Sequence, residues 1–342
     1  MGINLKDLTV IKPINLAELR GKKLGVDAYN MLYQFLSSIR QPDGMPLQNS
    51  EGVVTSHLRG LLSRVSYLNS EGIKLCFVFD GVPHPLKRRL LDERKERKKK
   101  AQREWEEALI VGDLERARMK AQQTSILTDK MIDETKEVLD ALGVPWVQAP
   151  SEGEAQAATM VRDGILDAVA SQDFDTLLYG APIMIRNLTL SGKRKLPRQQ
   201  KWINIEMEKI VLEKVLEENQ ITQEQLIDLA ILIGTDYNRG IHGIGPKKGI
   251  KIIKECGNAE KCLEKLDQQI DNLDELRKMF LDTKIYSTKN VEVNWKEPVK
   301  SKTIDLLCGK YEFSKSRVDN ALDKFFGPGK GKAEQVTLGD FK

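Results

Sequence analysis

Three short apolar runs in this chain each break off at an aspartate, and no other feature restricts its fold so tightly. "KKLGVDAYN" stops at Asp27, "IKLCFVFDG" at Asp80, and "LDAVASQDFD" at Asp173 and Asp175. Short runs rich in Val, Ile and Phe, closed by Gly or Asp, read as buried parallel strands. Between them lie helical patterns at 55–72 ("TSHLRGLLSRVSYLNSEG") and 129–143 ("DKMIDETKEVLDALG"). That alternation predicts an α/β fold, a mostly parallel central sheet with helices on both faces. Such sheets gather functional groups at the carboxyl ends of their strands, which is where these aspartates fall.

Three further acids join them. Glu152 and Glu154, in "APSEGEAQAA", open a helix near its positive end, and Ala155, Ala157 and Ala158 let that helix approach the sheet closely. Asp236 follows "TQEQLIDLAILIGTDYN", where Thr222 and Gln225 have capping-box spacing and Leu226, Leu229 and Ile233 make an apolar face. Asp236 is therefore expected just past a helix end. Any one of these acids alone reads as a helix cap or a solvated turn. Seven at element ends, including two pairs spaced two apart, read as a cation site. Oxygen ligands without His or Cys select Mg²⁺ or Mn²⁺ rather than zinc. More carboxylates than one ion needs suggests two ions. Calcium storage is the alternative, although no EF-hand spacing is present.

At 342 residues the chain suits two domains, or one large domain with an insertion. Its 40% apolar content and 12 prolines fit an ordered globular protein. The net charge is only +4, but "KRRLLDERKERKKK" (87–100) holds nine basic residues against three acidic ones. Residues 84–130 interrupt the α/β rhythm with polar helical sequence and read as an insertion. Lys87 and Arg94, seven apart, fall two turns apart on one helix face. After about residue 255 the pattern is helical again, ending near "NALDKFF" (320–326), and "GPGKGK" (327–332) reads as a flexible linker. Four scattered cysteines read as reduced thiols of a cytoplasmic protein, and the three histidines (His57, His84, His242) as structural or substrate-adjacent. No apolar run approaches the roughly 18 residues of a membrane span, and no signal-peptide core is present. The expectation is a soluble protein without a membrane partner.

"GVDAYNMLYQFLSSIRQPDGMPL", "TSHLRG", "FVFDG", "QAPSEGEAQAA", "ASQDFDTLLYGAP", "IRNLT", "LIGTDYN" and "GIHGIGPKKG" occur in this order. Together they resemble the structure-specific 5′ nuclease superfamily, above all its archaeal flap endonucleases, over nearly the whole chain. The resemblance implies a PIN-like 5′ nuclease fold with an inserted helical arch and a helix-hairpin DNA-binding motif. On this pattern residues 1–98 form an N-terminal nuclease region, overlapped by an arch at 84–130. Residues 116–257 form an internal region containing the hairpin motif at 236–255, followed by a C-terminal helical region at 258–326. A linker and sliding-clamp-binding tail occupy 327–342.

The same resemblance implies roles for individual residues. Asp27, Asp80, Glu152, Glu154, Asp173, Asp175 and Asp236 would hold two Mg²⁺ ions, with Mn²⁺ able to substitute. The reaction implied is hydrolysis of a phosphodiester where a 5′ flap meets duplex, leaving a 5′-phosphate and a 3′-hydroxyl. A 5′–3′ exonuclease activity accompanies it, in Okazaki-fragment maturation and base-excision repair. Lys87 and Arg94 match arch cations at the scissile phosphate. Tyr33 matches an aromatic packed against the adjacent nucleotide, and Arg40 is expected to reach a phosphate. Arg64 joins them on the DNA, with Gly240, Gly243, Gly245, Lys247 and Lys248 gripping the duplex backbone. Gln335, Leu338 and Phe341 resemble the clamp-binding motif, with Lys342 departing from its second aromatic position. A monomer acting on branched DNA is expected. Two alternatives stand beside it: a related nuclease cutting bubbles or junctions, and a non-catalytic scaffold for DNA and clamp. About fifty residues between the two nuclease regions are few for a bubble-cutting relative.

Overall fold

The computed structural model describes residues 3–189, 192–195, 202–288 and 291–326. The strands are Ile11–Ile14 (β1), Lys23–Asp27 (β2), Lys74–Phe79 (β3), Trp146–Gln148 (β4), Ala168–Ala170 (β5), Ile183–Arg186 (β6), Gly192–Lys195 (β7), Trp202–Ile205 (β8) and Met207–Val211 (β9). Seven of them form one sheet in the order β1-β9-β6-β5-β2-β3-β4, while β7 and β8 pair with each other. From β6 to β4 all neighbours run parallel; β9 runs antiparallel to both β6 and β1. The sheet is mixed, with the expected parallel part at its centre.

The helices alternate with the strands along the chain. Ala28–Ser38 (α1), Ser56–Ser70 (α2), Arg88–Ile110 (α3), Leu114–Ala121 (α4), Asp129–Ala141 (α5), Gly153–Arg162 (α6) and Asp175–Leu178 (α7) come first. Leu212–Asn219 (α8), Gln223–Ile233 (α9), Pro246–Cys256 (α10), Ala259–Leu266 (α11), Leu273–Leu281 (α12), Lys300–Ile304 (α13) and Lys315–Phe326 (α14) complete the set. β3 shows why its sequence is apolar throughout. Leu75, Phe77 and Phe79 enter a core with α1, α2, α5 and α14, while Cys76 and Val78 enter another with α6, α9 and α12. A strand covered on both faces has no polar side to present.

Two glycines set the close approaches next to the site. A Cβ on Gly60 of α2 would lie 2.3 Å from the Phe35 ring of α1. On β2, a Cβ on Gly25 would lie 2.8 Å from Leu166 and 3.5 Å from Ala157 of α6. The small residues of α6 thus meet a small residue on the sheet, as its composition predicted.

The insertion forms two antiparallel helices, α3 and α4. Ala101, Trp105 and Ala108 of α3 pack on Ala117 and Ala121 of α4 in a small core of their own, with Met45 alongside. Trp105 Nε1 donates to Asp43 O at 3.1 Å, tying the arch to the loop after α1.

The C-terminal part differs from the expected run of helices. α11 and α12 stay with α9 and α10, but the chain then crosses to the other core, and among the described residues no α-helix lies between α12 and α13. "VEVNWKEPV" (291–299) alternates rather than repeating at helical spacing, and Pro298 removes a donor. Trp295 Nε1 instead donates to Leu75 O at 2.7 Å, and Lys296 N to Gly143 O at 2.9 Å. α14 then packs on α2, so residues 258–326 are divided between the two faces of the sheet. The linker 327–332 and the tail residues Gln335, Leu338 and Phe341 lie outside the described residues. Among the described residues no helix is long and apolar enough to cross a membrane.

Gly60→Ala should lower stability by about 1–3 kcal/mol, because α2 must back away from Phe35. Equilibrium urea unfolding reads this directly, and an unchanged midpoint would refute the close packing of α1 on α2.

Candidate active site

Adjacent parallel strands deliver the acids to one edge. β5, β2, β3 and β4 lie side by side, so Asp173, Asp27, Asp80 and Glu152 follow their carboxyl ends in a row. The first turns of α6 and α7 add Glu154 and Asp175. The turn after α9 adds Asp236. All seven line one cavity of about 1530 Å³, together with Tyr33, Lys87, Lys98 and Arg94.

Each carboxylate is met by a donor. Asp27 caps α1 by accepting from Asn30 N at 3.0 Å, and Asp173 accepts from Asn30 Nδ2 at 3.4 Å. Asp80 accepts from Gly153 N at 2.7 Å. Asp175 accepts from Ile3 N at 2.9 Å. Glu154 accepts from Ser171 Oγ and Thr176 Oγ1, both at 2.8 Å. From the arch, Lys87 pairs with Glu152, and Arg94 Nη2 reaches Asp236 Oδ2 at 2.9 Å. Only Arg94 lies on α3; Lys87 ends the short turn Pro85–Lys87 just before it. The two cations therefore do not share one helix as their spacing suggested, and most other charges of α3 face solvent.

These donors do not offset the crowding. Burial, then the neighbouring Asp80, push Asp27 up to about 8. Burial and Glu152 push Asp80 to about 6, and burial and Asp236 push Asp175 to about 7. Burial and the Asp27 charge hold Glu154 well above the carboxylate range. Burial would lower Lys87, yet Glu152 and Asp80 outweigh it and raise it. Buried carboxylates with raised affinity for protons also favour a multivalent cation, and this all-oxygen set is the donor chemistry of Mg²⁺ or Mn²⁺. Among the described residues, however, no three of these groups converge as ligands of a single ion. Their side chains are turned to the protein donors named above.

The remaining predicted residues separate into three groups. Tyr33 faces the cavity with the Lys98 ammonium 4.7 Å above its ring. Gly243 and Gly245 precede α10 with open space where a Cβ would stand, and Lys247 and Lys248 in its first turn are exposed. Gly240 differs: its Cβ would strike Ile233 O at 2.3 Å, so this glycine closes the turn on α9 instead of opening a surface. Arg40 also departs from expectation. It lies beyond the end of α1, and its guanidinium donates to Leu36 O, Gly44 O and Ser125 Oγ. Arg64 does not reach the acids. It donates to Thr189 O and lines a separate cavity with Tyr67 and Lys324.

Sequence reasoning missed several residues here. Gly153 stands between the two glutamates because a Cβ there would lie 2.8 Å from Asp80 Oδ1. Ser171 and Thr176 flank the aspartate pair and hold Glu154. Tyr237, next to Asp236, shares a hydroxyl contact with Tyr179. Their nearness to the acids was visible in the chain, but their partners were not.

Comparisons with known proteins agree with this geometry. The family model for the XPG N-terminal domain matches residues 2–101, and that for the XPG I-region matches 143–236. The chain is 44% identical to flap endonuclease 1 of Archaeoglobus fulgidus, covering 99% of each, and 46% identical to that of Hyperthermus butylicus, covering 95% and 94%. The solved flap endonuclease-1 from Methanococcus jannaschii superposes with a TM-score of 0.73 at 38% identity, over 95% of this chain and 98% of that one. The catalytic core of Rad2 in complex with DNA substrate shares the fold, with a TM-score of 0.71 at 23% identity over 94% and 97%.

A carboxyl group whose pKa is higher in the folded chain binds its proton more tightly there, so it destabilises the fold as pH rises towards that value. In a chelator, the unfolding temperature should fall between about pH 4 and about pH 8, from the unfolded carboxyl value up to the folded value of Asp27, as Asp80, Asp175 and Asp27 ionise. Asp27→Asn should raise it by a few degrees at the alkaline end. Calorimetry across that range checks the sign, and a midpoint rising with pH would refute it.

Proposed function

The chain belongs to the flap endonuclease family of structure-specific 5′ nucleases, and from that premise we propose which of its residues carry out the cut. It is a metal-dependent DNA hydrolase that cleaves 5′ flaps and has 5′–3′ exonuclease activity, acting in replication and repair. The observation that supports the assignment of roles is one cavity holding seven carboxylates under a basic helix, with Lys87 and Arg94 directed into it.

The metal is Mg²⁺, two ions per site, with Mn²⁺ able to replace it. Asp27, Asp80, Glu152, Glu154, Asp173, Asp175 and Asp236 are the residues that would hold the ions. When bound, such ions lower the pKa of a water molecule and neutralise the leaving oxygen. Lys87 and Arg94 place positive charge where the phosphate gains negative charge in the transition state. Tyr33 offers a ring for stacking beside the cut, a contact indifferent to sequence. The N–H groups near Gly243 and Gly245, with Lys247 and Lys248, hold duplex phosphates; Gly240 shapes the turn that presents them. Arg40 and Arg64 also act on DNA, Arg40 through its two N–H groups not used internally. The products are a 5′-phosphate and a 3′-hydroxyl. The tail residues Gln335, Leu338 and Phe341 dock a cytoplasmic monomer on the sliding clamp.

The test is cleavage of a labelled 5′-flap duplex in Mg²⁺, beside 3′-flap, bubble and blunt substrates, with Asp173→Ala as inactive reference. Cutting near the flap junction, lost in EDTA and in the variant, is expected. Tight binding without turnover in Mg²⁺ would instead make the protein a scaffold, and preference for the bubble would change the substrate. Lys247→Ala and Lys248→Ala should weaken binding to all duplexes alike and each reduce the salt slope by about one.

A further inference from the structure

Lys87, paired with Glu152 in the acidic cavity, has a supporting structure of its own. Tyr237 follows Asp236 in the chain and is 6% exposed, and Tyr179, just after α7, is 5% exposed. Their hydroxyls meet at 2.7 Å. Phe280 of α12 closes on both, 5.3 Å from the Tyr179 ring and edge-on at 5.6 Å from the Tyr237 ring. The Tyr237 ring carries Lys87 Nζ 5.6 Å from its centroid, and the same ammonium pairs with Glu152.

Lysine presents a compact charge on a flexible stem, so pairing with one carboxylate leaves its direction loosely defined. A ring face supplies a second attraction, which strengthens as water is excluded. The ring itself is held twice, by the hydroxyl contact and by Phe280. Buried tyrosine hydroxyls need a partner, and here one donates to the other. Neither ring has to touch DNA.

The geometry points to Tyr237 as a positioning residue for cleavage: its ring sets the Lys87 ammonium, and Tyr179 with Phe280 set the ring. α12, remote in sequence from the arch, thereby acts on the arch's catalytic cation. The inference rests on Lys87 acting at the scissile phosphate, as proposed above.

The experiment is a double-mutant cycle in the full chain. It reads single-turnover cleavage of a 5′-flap duplex in Mg²⁺, and flap affinity with Ca²⁺ in place of Mg²⁺. Tyr237→Leu should slow cleavage about tenfold with affinity almost unchanged. Tyr237→Phe, which keeps the ring, should stay within about threefold of the natural chain. In a Lys87→Ala background Tyr237→Leu should cost nothing further. If Tyr237→Leu unfolds, Tyr237→Met at similar volume takes its place in the cycle. Additive losses in both backgrounds would make Tyr237 merely structural and overturn the inference. So would full activity of both Tyr237→Leu and Tyr237→Met. If Lys87→Ala cuts at the natural rate, the role given to Lys87 fails instead, and the inference fails with it. Failure of the natural chain to cut flaps would refute the whole functional reading.

Discussion

Repulsion among buried carboxylates governs this protein. Four neighbouring strand ends, two helix starts and the turn after α9 press seven acids into one cavity, where several hold their protons far above the ordinary carboxylate range. No packing force favours such an arrangement. It persists because the two apolar cores on either face of the sheet over-determine the strand order, and because each acid is met by a donor. Asn30, Gly153, Ile3, Ser171, Thr176, Lys87 and Arg94 all serve that purpose. Stability is given up locally for a site that attracts multivalent cations.

The arch is the natural complement of that charge. Its long helix α3 has little apolar surface, and its small core with α4 depends on Trp105 and a few alanines. Electrostatics therefore supplies much of its hold on the body: Lys87 and Arg94 bind the acids, and Lys98 lies over Tyr33. A helix held by charge over a negative cavity can exchange those contacts for a phosphate chain at little loss. A helix held by a hydrophobic face could not. The C-terminal segment works oppositely. Trp295 and α14 fasten the two faces together with apolar packing and backbone hydrogen bonds, so the sheet beneath the arch stays fixed.

Much of this was legible in the chain. Short apolar runs closed by an acid placed β2 and β3, and period-3.6 patterns placed α2, α5 and α9, within a residue or two of their positions, because each of these elements buries surface its own residues define. The capping box at Thr222 and Gln225 formed as written. The seven acids could be picked out because carboxylates at apolar strand ends have no local reason to cluster. Less legible was 283–299, where a few alternating residues and one proline gave too weak a pattern to contradict the helices on either side. The glycines of the hairpin also looked alike, although Gly240 is packed against its own backbone and Gly243 is open.

What the sequence determined alone was local and periodic: which segments are strands, where helices begin, and which acids end them. Only the tertiary structure decided who meets whom across long separations. It brought Gly153 N to Asp80, Arg94 to Asp236 and Phe280 to the two tyrosines beneath Lys87. It also turned Arg40 inward to Leu36, Gly44 and Ser125. Spacing along a chain encodes the face a residue occupies, but the identity of its distant neighbour follows from strand order and helix packing. Those are properties of the whole hydrophobic core, and no single segment contains them.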